Sequence, residues 1–157
     1  MNYVWAIVVA GLVGTIATIC VMLFRGAVAA DLGGSTAVAI ATTFGIVWTV
    51  WVLASAALAE ADVYRFAPAK VEPWLALAMM LPLAVALLAT RIPMVSRILN
   101  QPDTQWWLTV GQIFRVEGVA FLIVMALGEL PAGFALPAGL GDIAIGLGAI
   151  YLARGLR

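Results

Sequence analysis

The chain has 157 residues, of which 65% are hydrophobic and only 10% are charged, whereas an average soluble domain is about half apolar and about a quarter charged. Eight basic and eight acidic residues give no net charge, and they are scattered singly, so no basic patch can bind nucleic acid. The absence of histidine excludes imidazole haem ligands, zinc–histidine sites and histidine general bases. No cofactor is expected, and the single cysteine, Cys20, cannot form an intrachain disulfide.

The apolar residues form long runs, and each run can cross about 30 Å of hydrocarbon as an α-helix. We therefore predict an all-α integral membrane protein in which residues 1–157 form a single bundle of about five transmembrane helices. The first run follows an amino terminus without the positive charge of a signal peptide, so it is interpreted as an uncleaved span. The predicted spans cover about residues 4–24, 35–59, 73–90, 105–128 and 137–152.

Small residues recur at steps of four in the first two spans, with Ala10 and Gly14 in span one and Ala41 and Gly45 in span two. In lipid, such residues let helix backbones approach closely. Because a short loop joins the two spans, we predict an antiparallel pair within one subunit. A seam between two copies of the chain is the alternative.

Span three begins after Pro73 and contains Pro82, which predicts a kink. The following stretch, at about residues 92–101, has apolar and polar sides typical of a short interfacial helix. A binding site for a soft metal ion could be assembled from the sulfur atoms of Cys20, Met22, Met79 and Met80. Methionines in lipid-embedded helices usually serve packing instead, so no metal site is predicted.

Span four carries three strongly polar side chains in its interior, Gln112, Arg115 and Glu117. Gln112 and Arg115 are three residues apart and share one face of the helix, whereas Glu117 points to a different face. Ionisable groups inside a membrane are costly and mark candidate functional sites. The alternative is that they only hold the helices together by hydrogen bonds. The three residues form a candidate polar cluster together with Asp142 of span five.

The link to span five repeats Leu-Pro-Ala-Gly at 130–133 and 136–139. This link is interpreted either as non-helical backbone that enters the membrane or as a tight turn with Pro137 in the first turn of span five. Glycines such as Gly146 allow close packing of this span. Since Arg115 and Asp142 lie in consecutive antiparallel spans at depths that an arginine side chain can bridge, we predict an ion pair between them.

The positive residues of the short loops divide unevenly between the two sides of the predicted bundle. One side contains Arg25, Arg91, Arg97, Arg154 and Arg157, and the other only Arg65 and Lys70 beside several acids, among them Glu72. The positive side is expected to be cytoplasmic, with the amino terminus outside and the carboxyl terminus inside. A multi-pass protein of a bacterial inner membrane is the expected localisation.

Two functions remain open from the sequence. The first is an oligomeric channel or transporter for a small ion or solute, which uses the polar cluster of spans four and five. The second is a non-catalytic subunit of a larger membrane complex, in which the cluster and the glycine faces bind another chain, a lipid or a pigment. A membrane enzyme is least favoured, because acid–base chemistry would fall to Glu117 or Asp142 alone.

Overall fold

The computed structural model describes residues 2–64 and 73–156, and all regular secondary structure in these ranges is helical. Arg65, Lys70, Glu72 and Arg157, which entered the topology prediction, lie outside the described residues. The elements in chain order are α1 (Asn2–Ala29), α2 (Gly34–Glu60), α3 (Trp74–Ala89), α4 (Pro93–Leu99), α5 (Thr104–Gln112), a 3₁₀ segment (Ile113–Gly118), α6 (Val119–Ala126) and α7 (Ala132–Gly155).

The described part of the chain contains four helical stretches that are long and apolar enough to cross a membrane: Tyr3–Ala29, Gly34–Glu60, Thr104–Ala126 and Ala132–Gly155. A fifth span results if Ala76–Ala89 and Pro93–Leu99, which meet at 91°, count as one bent pair. The all-helical class is thus confirmed, and four to five helices have the length and apolar character that a membrane span requires. We call Thr104–Ala126 the broken helix, because the 3₁₀ segment divides it.

The broken helix packs between α1 on one side and α7 on the other, and α2 packs on the outer side of α1. Both neighbours run antiparallel to the broken helix. Along α1, Gly14 faces Phe114 and Arg25 lies near Trp107. The described helices of the bundle therefore form a row in the order α2, α1, broken helix, α7, with the broken helix enclosed on two sides.

Backbone contact between α7 and the 3₁₀ segment depends on three glycines. A β-carbon built on Gly146 would lie 2.7 Å from the Val116 amide nitrogen, and one on Gly118 would lie 2.9 Å from the Gly139 carbonyl oxygen. A β-carbon on Gly139 would lie equally close, at 2.9 Å, to the Gly118 carbonyl oxygen. No side chain fits at these positions, so the two backbones are in direct contact, which is how helices associate closely in lipid.

The contact between α1 and α2 is formed by the predicted small residues of α2 and by Cys20. The Cys20 thiol donates a hydrogen bond to the Ala41 carbonyl oxygen at 3.3 Å, and its sulfur would lie 3.2 Å from a β-carbon on Gly45. The two helices form an antiparallel pair within one chain. On α1, however, Gly14 faces Phe114 of the 3₁₀ segment, and Ala10 is exposed.

The link between the broken helix and α7 is shorter than the sequence suggested. Helix α6 ends at Ala126 and is followed by Gly128, whose φ of 81° allows the Glu129 amide to donate to the Val124 carbonyl oxygen, a Schellman motif. Helix α7 then begins at Ala132, not at Pro137. Pro137 lies in the second turn of α7, where its missing N–H removes one helical hydrogen bond, so the second Leu-Pro-Ala-Gly repeat is helical.

Helices α3 and α4 lie outside the row of four helices and differ in their contacts with it. Helix α4 packs on α1, where Ile98 is fully buried in a cluster with Met22, Leu23 and Ala27. The Arg97 guanidinium also donates to the Ala30 carbonyl oxygen at 2.8 Å, which satisfies an acceptor at the carboxyl end of α1. Helix α3 makes no extensive contact with another described helix, and most of its large apolar side chains are exposed.

The first prediction concerns the glycine contact of α7. Gly146→Ala should lower the unfolding free energy by about 1–3 kcal/mol, because the new methyl group meets backbone atoms that cannot move without strain. Thermal unfolding in detergent measures this loss.

Gly148→Ala is the matched control, since Gly148 lies two residues further along α7 with open space around its Cα. It should leave stability unchanged or slightly higher, because alanine is the better helix former. Equal losses in both variants would contradict the proposed packing role of Gly146.

Candidate functional site

The 3₁₀ segment lies at the middle of the broken helix, and Arg115 is the central residue of the broken helix. In 3₁₀ geometry, side chains three residues apart eclipse each other, so Gln112 and Arg115 project on the same side. Both residues are exposed in the isolated chain. Glu117 projects elsewhere, as the sequence indicated. A 3₁₀ stretch within an α-helix often marks a functional hinge or a strained sequence.

Arg115 forms the ion pair that was predicted from the sequence. Its Nη1 donates to Asp142 Oδ1 of α7 at 2.9 Å. Because α7 begins at Ala132, Asp142 lies near the midpoint of its helix, at the level of Arg115. Gly118 contributes to this geometry, since a β-carbon there would lie 2.6 Å from Asp142 Cβ.

The chain itself leaves this ion pair partly uncovered, because the side chains of Arg115 and Asp142 are 48% and 31% exposed. Placing an arginine or an aspartate at the centre of a membrane helix costs about 2.5–3.5 kcal/mol on insertion scales. One interhelical hydrogen bond in lipid returns about 0.6–2 kcal/mol. The single contact therefore does not offset the cost of two charges, and the pair needs a further polar environment.

Glu117 extends from the 3₁₀ segment towards α1 and ends at Gly11. A β-carbon on Gly11 would overlap the Glu117 carboxyl group, so the carboxyl group occupies the space that the glycine leaves. Its Oε2 is buried and has no hydrogen-bond partner among the described residues. Burying a carboxylate oxygen without a donor is costly. A proton, a cation or a hydrogen-bond donor from outside the chain would offset this cost.

Phe114 makes the neighbouring contact with α1, since its ring fills the space beside Gly14. Gly11 and Gly14 are three residues apart, and so are Phe114 and Glu117. Gly14 was predicted as a packing residue, but Gly11 was not, because the series of small residues at steps of four passes through Ala10 instead. The contact of Gly11 with Glu117 had no local signal, since it joins residues that are distant along the chain.

The four residues of the predicted cluster fall into two groups. Arg115 and Asp142 form the ion pair, with Gln112 on the same side of the broken helix as Arg115. Glu117 is enclosed between the broken helix and α1. Within the described residues, no three histidine, cysteine, aspartate or glutamate side chains lie together as a metal site. The arrangement offers one inward carboxyl group and one outward pair of opposite charges.

An open cleft of about 470 Å³ lies at the end of the bundle where α5 begins. Arg25 stacks above the Trp107 ring there, at 5.7 Å from its centroid, and Asp103 lines the same cleft. The neighbouring Trp106 donates from its indole nitrogen to the Ala153 carbonyl oxygen at 3.1 Å. Such tryptophan and arginine contacts are typical of helix ends at a membrane surface.

The second prediction tests the ion pair with Arg115→Met, Asp142→Asn and the double variant. Arg115→Met leaves Asp142 without its partner, and Asp142→Asn replaces the charged contact by a weaker neutral hydrogen bond, so each single change should lower thermal stability in detergent. The double variant should recover a coupling energy of about 0.5–3 kcal/mol. Asparagine is chosen for position 142 because it preserves the shape that packs against Gly118. Strictly additive losses would show that the two side chains do not interact.

Comparison with known proteins gave one match. The family model described as "Domain of unknown function (DUF8737)" matches residues 72–157. This region contains α3 to α7 and therefore Gln112, Arg115, Glu117 and Asp142, whereas Gly11 and Gly14 lie before it. No curated protein and no solved structure matches the chain. Because the family model covers more than half of the sequence, the chain belongs to the DUF8737 family.

Proposed function

We propose that this protein is an oligomeric membrane channel or transporter for a small ion or solute, with its pathway at the 3₁₀ segment of the broken helix. The observation that supports this proposal is the coincidence of three features at mid-span: interrupted α-helical geometry, an ion pair and a buried carboxyl oxygen without a partner. Discontinuous helices with polar groups at the membrane midplane are typical of transport sites.

The proposed roles follow from the two groups of polar residues. Glu117 accepts the transported cation or proton, because its Oε2 has no other partner among the described residues. Arg115 and Asp142 hold opposite charges at the same level and shape the electrostatic field through which the species passes. Gln112 adds a neutral donor and acceptor on the exposed side.

The 3₁₀ segment supplies a mechanical element for this pathway. A 3₁₀ helix turns by 120° and rises about 2.0 Å per residue, against 100° and 1.5 Å in an α-helix. Conversion of the six residues Ile113–Gly118 to α-helix would rotate α6 relative to α5 by roughly 120° and shorten the span by roughly 3 Å. Such a change would move Glu117 away from Gly11.

A second function, an assembly subunit of a larger membrane complex, is favoured by a different observation. Helix α3 exposes large apolar side chains and makes no extensive contact with another described helix. A partner chain could cover this surface. Purification separates the two functions, since a homo-oligomer without other proteins supports transport and a fixed heterologous partner supports the subunit role.

The third prediction is that proteoliposomes containing the purified protein conduct a small ion and that Glu117→Gln reduces this flux at least tenfold. The glutamine keeps the size of the side chain but cannot be ionised or take up a proton. Fluorescent indicators for protons, sodium, potassium and chloride, read under an imposed membrane potential, identify the species.

Glu129→Gln is the matched control, because Glu129 is exposed in the link after α6. This variant should conduct like the wild type. A protein that moves none of the tested ions, or variants that lose equal flux at both positions, would argue against the proposed pathway and favour the subunit role.

The fourth prediction concerns orientation, which we propose to be amino terminus outside and carboxyl terminus cytoplasmic, in a bacterial inner membrane. Alkaline phosphatase, which is active only outside the cytoplasm, should be inactive when fused after Leu156. It should be active when fused after Ala61, at the end of α2. The reverse pattern would invert the topology, and activity at both sites would contradict an odd number of spans.

A further inference from the structure

We propose that the outward face of the broken helix is the contact surface for a second copy of this chain, which completes the polar environment of the ion pair. The outward face consists of Gln105, Leu108, Gln112 and Arg115, together with Asp142 of α7. This inference rests on the proposed function and deepens it, because it names the partner of the proposed oligomeric pathway.

The outward face combines exposure with polarity on a helix of membrane-spanning length. Gln105 and Gln112 are exposed, Leu108 is 45% exposed and the Arg115 side chain is 48% exposed. Their spacing of three and four residues places them on one side of the broken helix. Lipid chains offer no hydrogen bonds to these groups. Protein or water must therefore cover this face in the membrane.

The other exposed faces of the row differ in composition. Ile46 and Leu53 on α2 are each 64% exposed, and they are aliphatic side chains that lipid accommodates without cost. The large exposed side chains of α3 are likewise apolar. Among the described residues, exposed charge at mid-helix is thus concentrated on the outward face, whereas the exposed polar side chains of α2 at this level are the threonines Thr42, Thr43 and Thr49. This charge makes the outward face the surface that a polar partner would cover.

Charge complementarity indicates that the partner is a second copy. The outward face carries both an arginine and an aspartate, and their 2.9 Å contact shows that they lie at one depth. Copies inserted with the same topology are related by an axis along the membrane normal, which preserves depth. A symmetric contact therefore brings Arg115 of one copy to the level of Asp142 of the other. The guanidinium has five N–H donors and its bond to Asp142 uses one of them.

The outward face is tested by cysteine crosslinking in native membranes. Cys20 is the only cysteine, and Cys20→Ser keeps a donor for the Ala41 carbonyl oxygen. In this background, Leu108→Cys and Gln112→Cys place a thiol on the outward face without touching the ion pair. Ile46→Cys is the control, with a thiol on an exposed face outside the proposed contact. A short bis-methanethiosulfonate reagent is added, and the products are separated under denaturing conditions.

We expect covalent dimers of this chain from Leu108→Cys and Gln112→Cys, at least tenfold more than from Ile46→Cys. Equal dimer yields at all three positions, or monomers at both outward positions, would overturn the proposed contact. If Gln112→Cys does not accumulate, Leu108→Cys decides alone, because it replaces one exposed aliphatic side chain.

Ion flux is measured on the uncrosslinked Cys20→Ser protein and its Leu108→Cys variant, which leave the polar residues of the proposed pathway unchanged, so that the two proposals fail separately. Flux without dimers at the outward face refutes the contact and leaves the transport function standing. Specific dimers without flux of any tested ion support the contact and refute the transport function.

Discussion

The fold depends on the direct backbone contact between α7 and the 3₁₀ segment. Gly118, Gly139 and Gly146 remove the side chains that would otherwise hold the two helices apart. In lipid, apolar burial does not drive helices together, so the dispersion energy of such close packing must do so. The contact also sets the distance at which Asp142 meets Arg115, because Asp142 Cβ lies against Gly118. The same backbone contact therefore determines both the helix packing and the geometry of the ion pair.

The packing of the broken helix between α7 and α1 also determines the different surroundings of its polar residues. Helix α7 packs on one flank of the 3₁₀ segment, and α1 packs on the other. A side chain of this segment therefore either packs against one of these two helices or is exposed. Glu117 is enclosed by Gly11, whereas Arg115 reaches over the edge to Asp142.

The sequence was sufficient for the features that depend on hydrophobicity and charge. Long apolar runs predicted the spans, and the cost of an isolated charge in lipid predicted the pair of Arg115 and Asp142. The amphipathic stretch after span three was also predicted, and α4 is found there at Pro93–Leu99. These features follow from local composition and from a comparison of the depths of Arg115 and Asp142 along their spans. A single sequence supplies both kinds of information.

The features that were missed depend on geometry that arises only in the assembled bundle. Pro137 usually indicates a helix start, but α7 begins five residues earlier, at Ala132, because the loss of one hydrogen bond in the second turn is tolerated. The 3₁₀ geometry of Ile113–Gly118 has no composition signal. Gly11 and Glu117 are joined only when α1 packs against the broken helix. Distant pairs of this kind cannot be derived from periodicity within one helix.

The position of Gly11 and Gly14 on the first helix has a consequence for biosynthesis. Helices α1 and α2 are translated before Phe114 and Glu117, so the spaces beside Gly11 and Gly14 have no side chains to fill them while the chain is still growing. The residues that join α1 to α2, among them Cys20 and Gly45, are all present by that stage. The broken helix, which is the most polar of the row, would then insert after the α1–α2 hairpin and fill the spaces beside Gly11 and Gly14. Helix α7 would insert last and pack on the remaining flank of the broken helix. The order of insertion into the membrane would thus match the order of assembly.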